Sequence, residues 1–207
     1  MAGSAYTYFI DFLYGWSDAP TDYEAKVVGQ ANRAIARDPD NVRAYFVKAT
    51  YLSVSGRPSE ALGVADAGLA TNPNFVLLLA PRAGAEISLG RFEQAKADAE
   101  RAMRLSPRDP YIGIFYNLTG FAELDLGHVD AAIDEFHKAI DSGFRTYFVY
   151  AHLSAAYAQA GKIDEAKEAL AEARRLNPKL TVKWMIEHLG DSPAVSEGLR
   201  KAGLPEE

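Results

Sequence analysis

"LGHVDAAIDEFHKAI", from Leu126 to Ile140, contains the pattern that decides the fold. A turn glycine, Gly127, precedes a hydrophobic residue, an acid and then residues that favour a helix. Ala132 and Ala139 are seven residues apart, which places them on one face of that helix. A buried helix face normally carries large side chains, so the two alanines require an explanation.

The explanation is that this stretch is one copy of a repeat. The copies "GRPSEAL", "GRFEQAK", "GHVDAAI" and "GKIDEAK" are spaced by 34, 37 and 34 residues, and they begin at Gly56, Gly90, Gly127 and Gly161. A second marker, a proline, recurs at Pro39, Pro73, Pro107 and Pro178. The first three prolines are also 34 residues apart, so two independent markers share one period.

Each copy predicts two helices joined at the glycine. In the second copy we expect the first helix to run from about Ala44 to Ser55 and the next to begin around Pro58, because glycine typically follows a helix end and proline often starts one. Helices that pack closely on a partner and on the next copy need small residues where they cross. Two positions supply them: Ala61, Ala95, Ala132 and Ala166, and, seven residues later, Gly68, Ala102, Ala139 and Ala173.

These residues resemble the tetratricopeptide repeat, a helix-turn-helix unit of about 34 residues. The resemblance implies an all-α, right-handed superhelical solenoid of about five repeats followed by C-terminal capping helices. We expect a tail or cloning remnant at 1–5, a solenoid at 6–180, and capping helices and a tail at 181–207. The five repeats are then 6–40, 41–74, 75–110, 111–146 and 147–180.

The chain departs from the family pattern in two ways. The place where the family often has tryptophan holds Asp11, Tyr45, Leu79, Tyr116 and Tyr150. In the segment "DSGFRTYF", Phe144 replaces the closing proline, and from this we expect a longer turn after Ile140.

Composition limits the classes of function. Of 207 residues, 48% are hydrophobic and 24% are charged, and the net charge of −6 disfavours nucleic acid and anionic membranes as partners. The chain has no cysteine, which excludes disulfides and thiol catalysis and is compatible with a reducing compartment. No apolar run approaches the ~18 residues of a membrane span, and no signal peptide is apparent. We therefore expect a cytoplasmic protein.

A narrower resemblance rests on the two ends and one central motif. "LYGWSDAPTDYEAKVVGQANRAIARDPDN", "LSPRDPY" and "GLRKAGLPEE" resemble the C-terminal repeat half of bacterial class III adenylate or guanylate cyclase-type proteins, or of relatives with a winged-helix DNA-binding domain. The cyclase's metal-binding and purine-selecting residues have no counterpart here. The resemblance implies a regulatory or partner-binding module, with any cyclase activity in a domain absent from this chain.

The first helices of such repeats line a concave face, and that face is the expected partner-binding groove. It should be apolar and aromatic at its ends and lined by small residues, such as Ala80 and Gly84, in the middle. Groove positions also include Ala151 and Ala155. The candidate site residues are Phe9, Phe12, Trp16, Arg43, Phe46, Leu77, Ile114, Asn117, Phe121 and Phe148.

Two alternatives apply to these aromatic residues. They can simply pack between adjacent repeats, as aromatic residues at helical spacing often do. The segment "YTYFIDFLYGW", with six aromatics in eleven residues, can instead dock an upstream domain of the same polypeptide or a second subunit. Only Arg43 and Asn117 have side chains suited to gripping a terminal carboxylate, so we predict an apolar extended or helical ligand instead.

No catalytic or cofactor site is predicted. His128, His137, His152 and His188 form no metal-ligand pattern, and no carboxylate pair has a stated reason for a shifted pKa. We therefore expect no enzymatic activity, no cofactor and no metal. The leading hypothesis is a protein–protein interaction module that is regulatory in a signalling protein. The alternatives are a small-molecule-sensing or enzymatic pocket lined by aromatics, or a homo-oligomer built through the aromatic first helix.

Overall fold

The computed structural model describes residues 6–8, 10–11, 22–189 and 192–207. A π-helical run, Glu24–Val28, leads into the first of the helices that we number in chain order. The described helices are α1 (Gly29–Arg37), α2 (Val42–Val54), α3 (Pro58–Thr71), α4 (Leu79–Ser88), α5 (Phe92–Leu105), α6 (Ile112–Asp125), α7 (Val129–Asp141), α8 (Tyr147–Gln159), α9 (Ile163–Leu176), α10 (Val182–Leu189) and α11 (Pro193–Ala202).

Consecutive helices pack as antiparallel pairs, and the pairs stack into a right-handed solenoid. The pairs are α2 with α3, α4 with α5, α6 with α7, and α8 with α9. This arrangement confirms the predicted all-α solenoid. Within the described ranges, no helix is long and apolar enough to cross a membrane.

The repeated glycine is required by the backbone at the turn within each pair. Gly56, Gly90, Gly127 and Gly161 have φ between +69° and +82°, a region that side chains with a Cβ rarely adopt. The residue after each glycine donates its N–H to a carbonyl five residues earlier, as Arg91 does to Glu86 at 2.8 Å. This bond satisfies a carbonyl that the helix end would otherwise leave without a partner.

The periodic small residues lie where helices cross. Ala61, Ala95, Ala132 and Ala166 are fully buried. At the second position a Cβ added to Gly68 would lie 2.6 Å from Leu78 Cδ1 and 2.8 Å from Tyr45 Cβ. A larger side chain would separate the helices, which explains the alanines in the opening stretch.

Helix ends differ from the sequence prediction by one or two residues. Helix α2 begins at Val42 and not at Ala44, because Asn41 caps it by accepting the Ala44 N–H on Oδ1. A short 3₁₀ turn, Val76–Leu78, precedes α4 and was not predicted.

The turn after Ile140 has an intermediate length. Five residues, 142–146, connect α7 to α8, compared with four residues, 38–41, between α1 and α2 and six residues, 106–111, between α5 and α6. Phe144 takes the place of the closing proline by packing on Gly113, where an added Cβ would lie 2.3 Å from the Phe144 Cβ.

Helices α10 and α11 cap the C-terminal end, as predicted. The Tyr147 ring meets Trp184 of α10 edge-on, at a centroid distance of 5.3 Å. The tail returns to this cap, since the Val182 N–H donates to the Pro205 carbonyl at 2.9 Å. Ser192 caps α11 by accepting the Val195 N–H, and it also donates to the Asp125 carboxylate at the end of α6.

Candidate partner-binding groove

The first helices of four repeats surround a groove of about 330 Å³. Helices α2, α4 and α6 contribute most of the wall, and α8 with its preceding turn closes one side. The residues that line it are Tyr6, Ile10, Phe46, Thr50, Ser53, Val54, Ala80, Pro81, Gly84, Ile87, Ser88, Tyr111, Ile114, Asn117, Leu118, Phe121, Phe144, Thr146, Phe148 and His152.

The structure brings five of the sequence-predicted site residues together in this groove: Phe46, Ile114, Asn117, Phe121 and Phe148. Two others lie outside it, because the Arg43 side chain is exposed and Leu77 lies half-buried in the 3₁₀ turn. Phe9, Phe12 and Trp16 fall outside the described residues.

The groove has large rings on opposite sides and small residues between them. Phe46 lies on one side, and Phe121 and Phe148 lie on the other, with Ala80 and Gly84 of α4 in between. A Cβ added to Gly84 would lie 3.0 Å from Ser53 Oγ, so α4 approaches α2 closely there. The small side chains at positions 80 and 84 leave open volume between the rings.

Among the described residues that line the groove, none is an aspartate, glutamate, lysine or arginine. Its polar groups are hydroxyls, one amide and one imidazole. A charged ligand group in this groove would lose water without gaining an opposite charge, which is costly. The lining therefore favours an uncharged occupant.

A buried polar pair lies in the floor. His152 Nδ1 is 3.0 Å from Asn117 Oδ1, and the two side chains are 4% and 6% exposed. Burial lowers the pKa of His152 to about 3, so the imidazole is neutral at neutral pH. The ring of Phe121 stands perpendicular to it at a centroid distance of 4.8 Å.

Sequence reasoning considered His152 only as a possible metal ligand and missed its place in the groove. One signal was available, because His152 follows the predicted groove residue Phe148 by four positions and so shares its helix face. Ala155 and Ala151 were expected to line the groove as well. They are fully buried instead, and Gly198 of α11 packs directly on Ala155.

The groove is consequently bounded at both ends. At the N-terminal end, Tyr6 and Ile10 form part of the wall, and partial burial, with nearby Tyr111 adding to it, raises the pKa of Tyr6. At the other end α11 covers the concave face of α8. The concave surface is therefore a short pit and not an open channel along the whole solenoid.

Comparison with known families agrees with this geometry. Models of the tetratricopeptide repeat match residues 28–74, 82–109 and 149–180. The chain belongs to the tetratricopeptide repeat family. Among curated proteins, none matches the sequence.

Several solved structures resemble most of the chain. A thermophilic TPR protein from Thermus thermophilus is 20% identical, with a TM-score of 0.70 over 86% of this chain and 93% of that one. PilW, a type IV pilus biogenesis factor, is 15% identical, with a TM-score of 0.69 over 95% and 90%. YrrB, described as a TPR protein with an unusual peptide-binding site, is 17% identical, with a TM-score of 0.54 over 84% and 91%. At these identities the likeness concerns the fold.

Outside the groove, the tetratricopeptide repeats are also joined by ion pairs that sequence reasoning did not find. Arg82 of α4 bonds Asp66 of α3 at 2.8 Å and also bonds Asp98 of α5. Glu86, 3% exposed, lies 3.3 Å from Arg82, yet burial, with Asp98 adding to it, raises the pKa of Glu86 to about 7. These groups lie between adjacent helix pairs and connect α3, α4 and α5.

A second charge cluster joins the next pair of repeats. The buried Glu123 of α6 is 2.6 Å from Lys96 Nζ and 2.7 Å from His128 Nδ1. These partners lower the pKa of Glu123 in spite of its burial. Since α5 provides Lys96 and the turn before α7 provides His128, the carboxylate connects three successive elements.

Proposed function

We propose that this chain is a non-catalytic interaction module that binds an apolar segment of a protein partner in its concave groove. Tetratricopeptide repeats generally mediate protein–protein interaction. The observation that carries the proposal is the uncharged, aromatic-sided groove formed by the first helices of four repeats. An apolar segment buried there would be released from water without leaving a charged group unpaired.

The peptide-binding site in the name of YrrB supports a peptide as the occupant, although the sequence identity is only 17%. The net charge of −6 argues against nucleic acid as the partner. From the resemblance of the chain ends, we further propose that the module is regulatory in a bacterial signalling protein in the cytoplasm. Its catalytic or DNA-binding half would then be the upstream domain of the same polypeptide.

A small-molecule sensor is the second candidate function. The observation that favours it is the size of the groove, because about 330 Å³ falls at the lower end of the range for small-molecule pockets. The groove is also partly closed by Tyr6 and Ile10. The two candidates predict different behaviour of groove variants.

Cross-linking capture followed by mass spectrometry tests the proposal with wild type, Phe46→Asp and Tyr111→Asp. Tyr111 is 52% exposed at the groove, so its replacement should leave folding intact. Leu105→Asp is the matched control, since Leu105 is 48% exposed outside the groove. We expect both groove variants to lose a partner that the control retains, with circular dichroism confirming that all fold.

Equal capture by wild type and both groove variants would contradict the proposal. If no partner is captured and a metabolite raises the melting temperature of wild type but not of Phe46→Asp, the sensor function replaces it.

A further inference from the structure

The Asn117–His152 pair in the groove floor retains hydrogen-bonding capacity that the folded chain does not use. The pair shares one hydrogen bond of 3.0 Å between Nδ1 and Oδ1. Within the described part of the chain, Asn117 Nδ2 and His152 Nε2, which line the groove, make no further hydrogen bond. Thr146 Oγ1, in the adjacent wall, is buried without a hydrogen-bond partner. Buried polar groups in folded proteins are normally paired, so this hydroxyl and the unused groups of the pair favour an occupant that can form hydrogen bonds.

The pair offers one donor and one acceptor whichever tautomer is present. If His152 Nδ1 donates to Asn117, the imidazole Nε2 accepts and the asparagine amide donates. If the asparagine amide is turned and donates to Nδ1, then Nε2–H donates and the asparagine oxygen accepts. A group that matches both must itself carry a donor and an acceptor and must be neutral. A peptide or carboxamide group has this combination.

The surroundings exclude charged alternatives. Burial keeps His152 neutral, so it provides no cation for a carboxylate. No lysine or arginine among the described residues lines the groove, and no aspartate or glutamate there would balance an ammonium group. A terminal carboxylate or a lysine side chain would therefore be desolvated without compensation.

The size of the pit limits how much of a partner it can hold. The groove is short, with α11 across one end and Tyr6 and Ile10 at the other. Its facing phenylalanine rings suit an aromatic or branched side chain.

We infer that the groove recognises a single anchor on the partner: one apolar side chain together with an uncharged amide that hydrogen-bonds to Asn117 and His152. This inference rests on the proposed function and specifies the chemistry of the partner. It predicts an internal segment as the ligand, because either chain terminus would bring a charge into the groove.

Three small aromatic probes of similar shape test the anchor chemistry. They are 2-naphthamide, which is neutral and has both a donor and an acceptor, 2-naphthoate, which is charged, and 2-methylnaphthalene, which has no hydrogen-bonding group. Binding is followed by chemical-shift titration of the full chain. We expect 2-naphthamide to bind at least tenfold more tightly than either analogue and to shift the Asn117 side-chain amide.

The matched variant is the double substitution Asn117→Leu with His152→Phe. Replacing both residues by apolar side chains of similar shape leaves no buried polar side chain of the pair without a hydrogen-bond partner, so folding should be preserved. Thermal unfolding checks this. In this variant the preference for 2-naphthamide over 2-methylnaphthalene should disappear. Ala131→Leu, at an exposed position of α7, should leave all three affinities unchanged.

Three outcomes would overturn the inference: 2-naphthoate binding as tightly as 2-naphthamide, the double variant keeping the amide preference, or no saturable shift of groove residues by 2-naphthamide up to its solubility limit. The partner-capture experiment separates this failure from failure of the proposed function. If Phe46→Asp abolishes capture while the amide preference is absent, only the anchor chemistry is wrong.

Discussion

Gly198 of α11 packs so closely on Ala155 of α8 that a Cβ at position 198 would lie 2.6 Å from the Ala155 carbonyl oxygen. The same Cβ would lie 2.7 Å from the Ala155 Cα. Backbone atoms cannot rotate out of the way as a flexible side chain can. The contact therefore sets the position of the C-terminal cap, and with it the closed end of the groove.

Gly198→Ala should accordingly destabilise the chain. Since α11 must move away from α8, we expect a loss of about 1–3 kcal/mol in the free energy of unfolding, measured by urea denaturation. Gly63→Ala is the matched control. Gly63 is an exposed residue inside α3 with nothing within 4 Å of an added Cβ, so this change should stabilise the helix by about 0.5–1 kcal/mol. A stabilising effect of Gly198→Ala would show that the cap does not dock as described.

The alanines at helix crossings predict a similar contrast within one helix. Ala95→Leu places a large side chain at a fully buried position of α5 and should lower the free energy of unfolding by about 1–3 kcal/mol. Ala97→Leu, two residues later on an exposed face, should change it by less than about 0.5 kcal/mol. Thermal and urea unfolding of the two variants compare them directly. Equal effects would contradict the assigned crossing position.

Two buried groups make opposite contributions to the pH dependence of stability. Burial lowers the pKa of His152 from 6.5 to about 3. Between these two pH values the imidazole is therefore protonated in the unfolded chain and neutral in the folded chain. This contribution is complete above pH 6.5 and is lost as the pH falls toward 3. Burial raises the pKa of Glu86 from 4.5 to about 7, so the folded chain keeps a proton that the unfolded chain releases. That contribution is lost as the pH rises from about 4.5 to 7.

Between about pH 4.5 and 6.5 the two slopes, each about 1.4 kcal/mol per pH unit at most, should largely cancel. Glu86→Gln removes the contribution of Glu86, which falls as the pH rises. The free energy of unfolding of this variant should therefore rise with pH more steeply than that of wild type. The Asn117→Leu, His152→Phe double variant removes the contribution of His152, which rises with pH. Its free energy of unfolding should therefore fall with pH relative to that of wild type. Urea denaturation at several pH values across this window measures both slopes. Identical slopes in all three proteins would contradict the assignment.

Much of the fold could be predicted from the sequence because its determinants are local and periodic. A glycine at positive φ ends the first helix of each pair, and alanines seven residues apart lie on the face where helices cross. The groove residues Phe46, Ile114, Asn117, Phe121 and Phe148 were also predictable, since equivalent positions in stacked repeats face the same side.

Other features were not predictable because they depend on the curvature of the array. Asn117 and His152 are far apart in the sequence, as are Ala155 and Gly198, yet both pairs are in contact in the structure. These contacts cannot be predicted without the angles between successive helix pairs. Those angles result from many small packing contacts summed over the solenoid, and no short motif specifies them. The same reason applies to Arg82 and its carboxylates, which come from three different helices.

The sequence by itself therefore determined the repeat unit, the helix ends within about two residues and the apolar character of the concave face. Only the tertiary structure decided that the face is a short pit whose described lining residues are uncharged, closed by α11 and bearing a histidine–asparagine pair in its floor. The physical reason is that periodic backbone and side-chain constraints act within one repeat, whereas the shape of the groove arises from contacts between repeats and from the terminal segments that cover them.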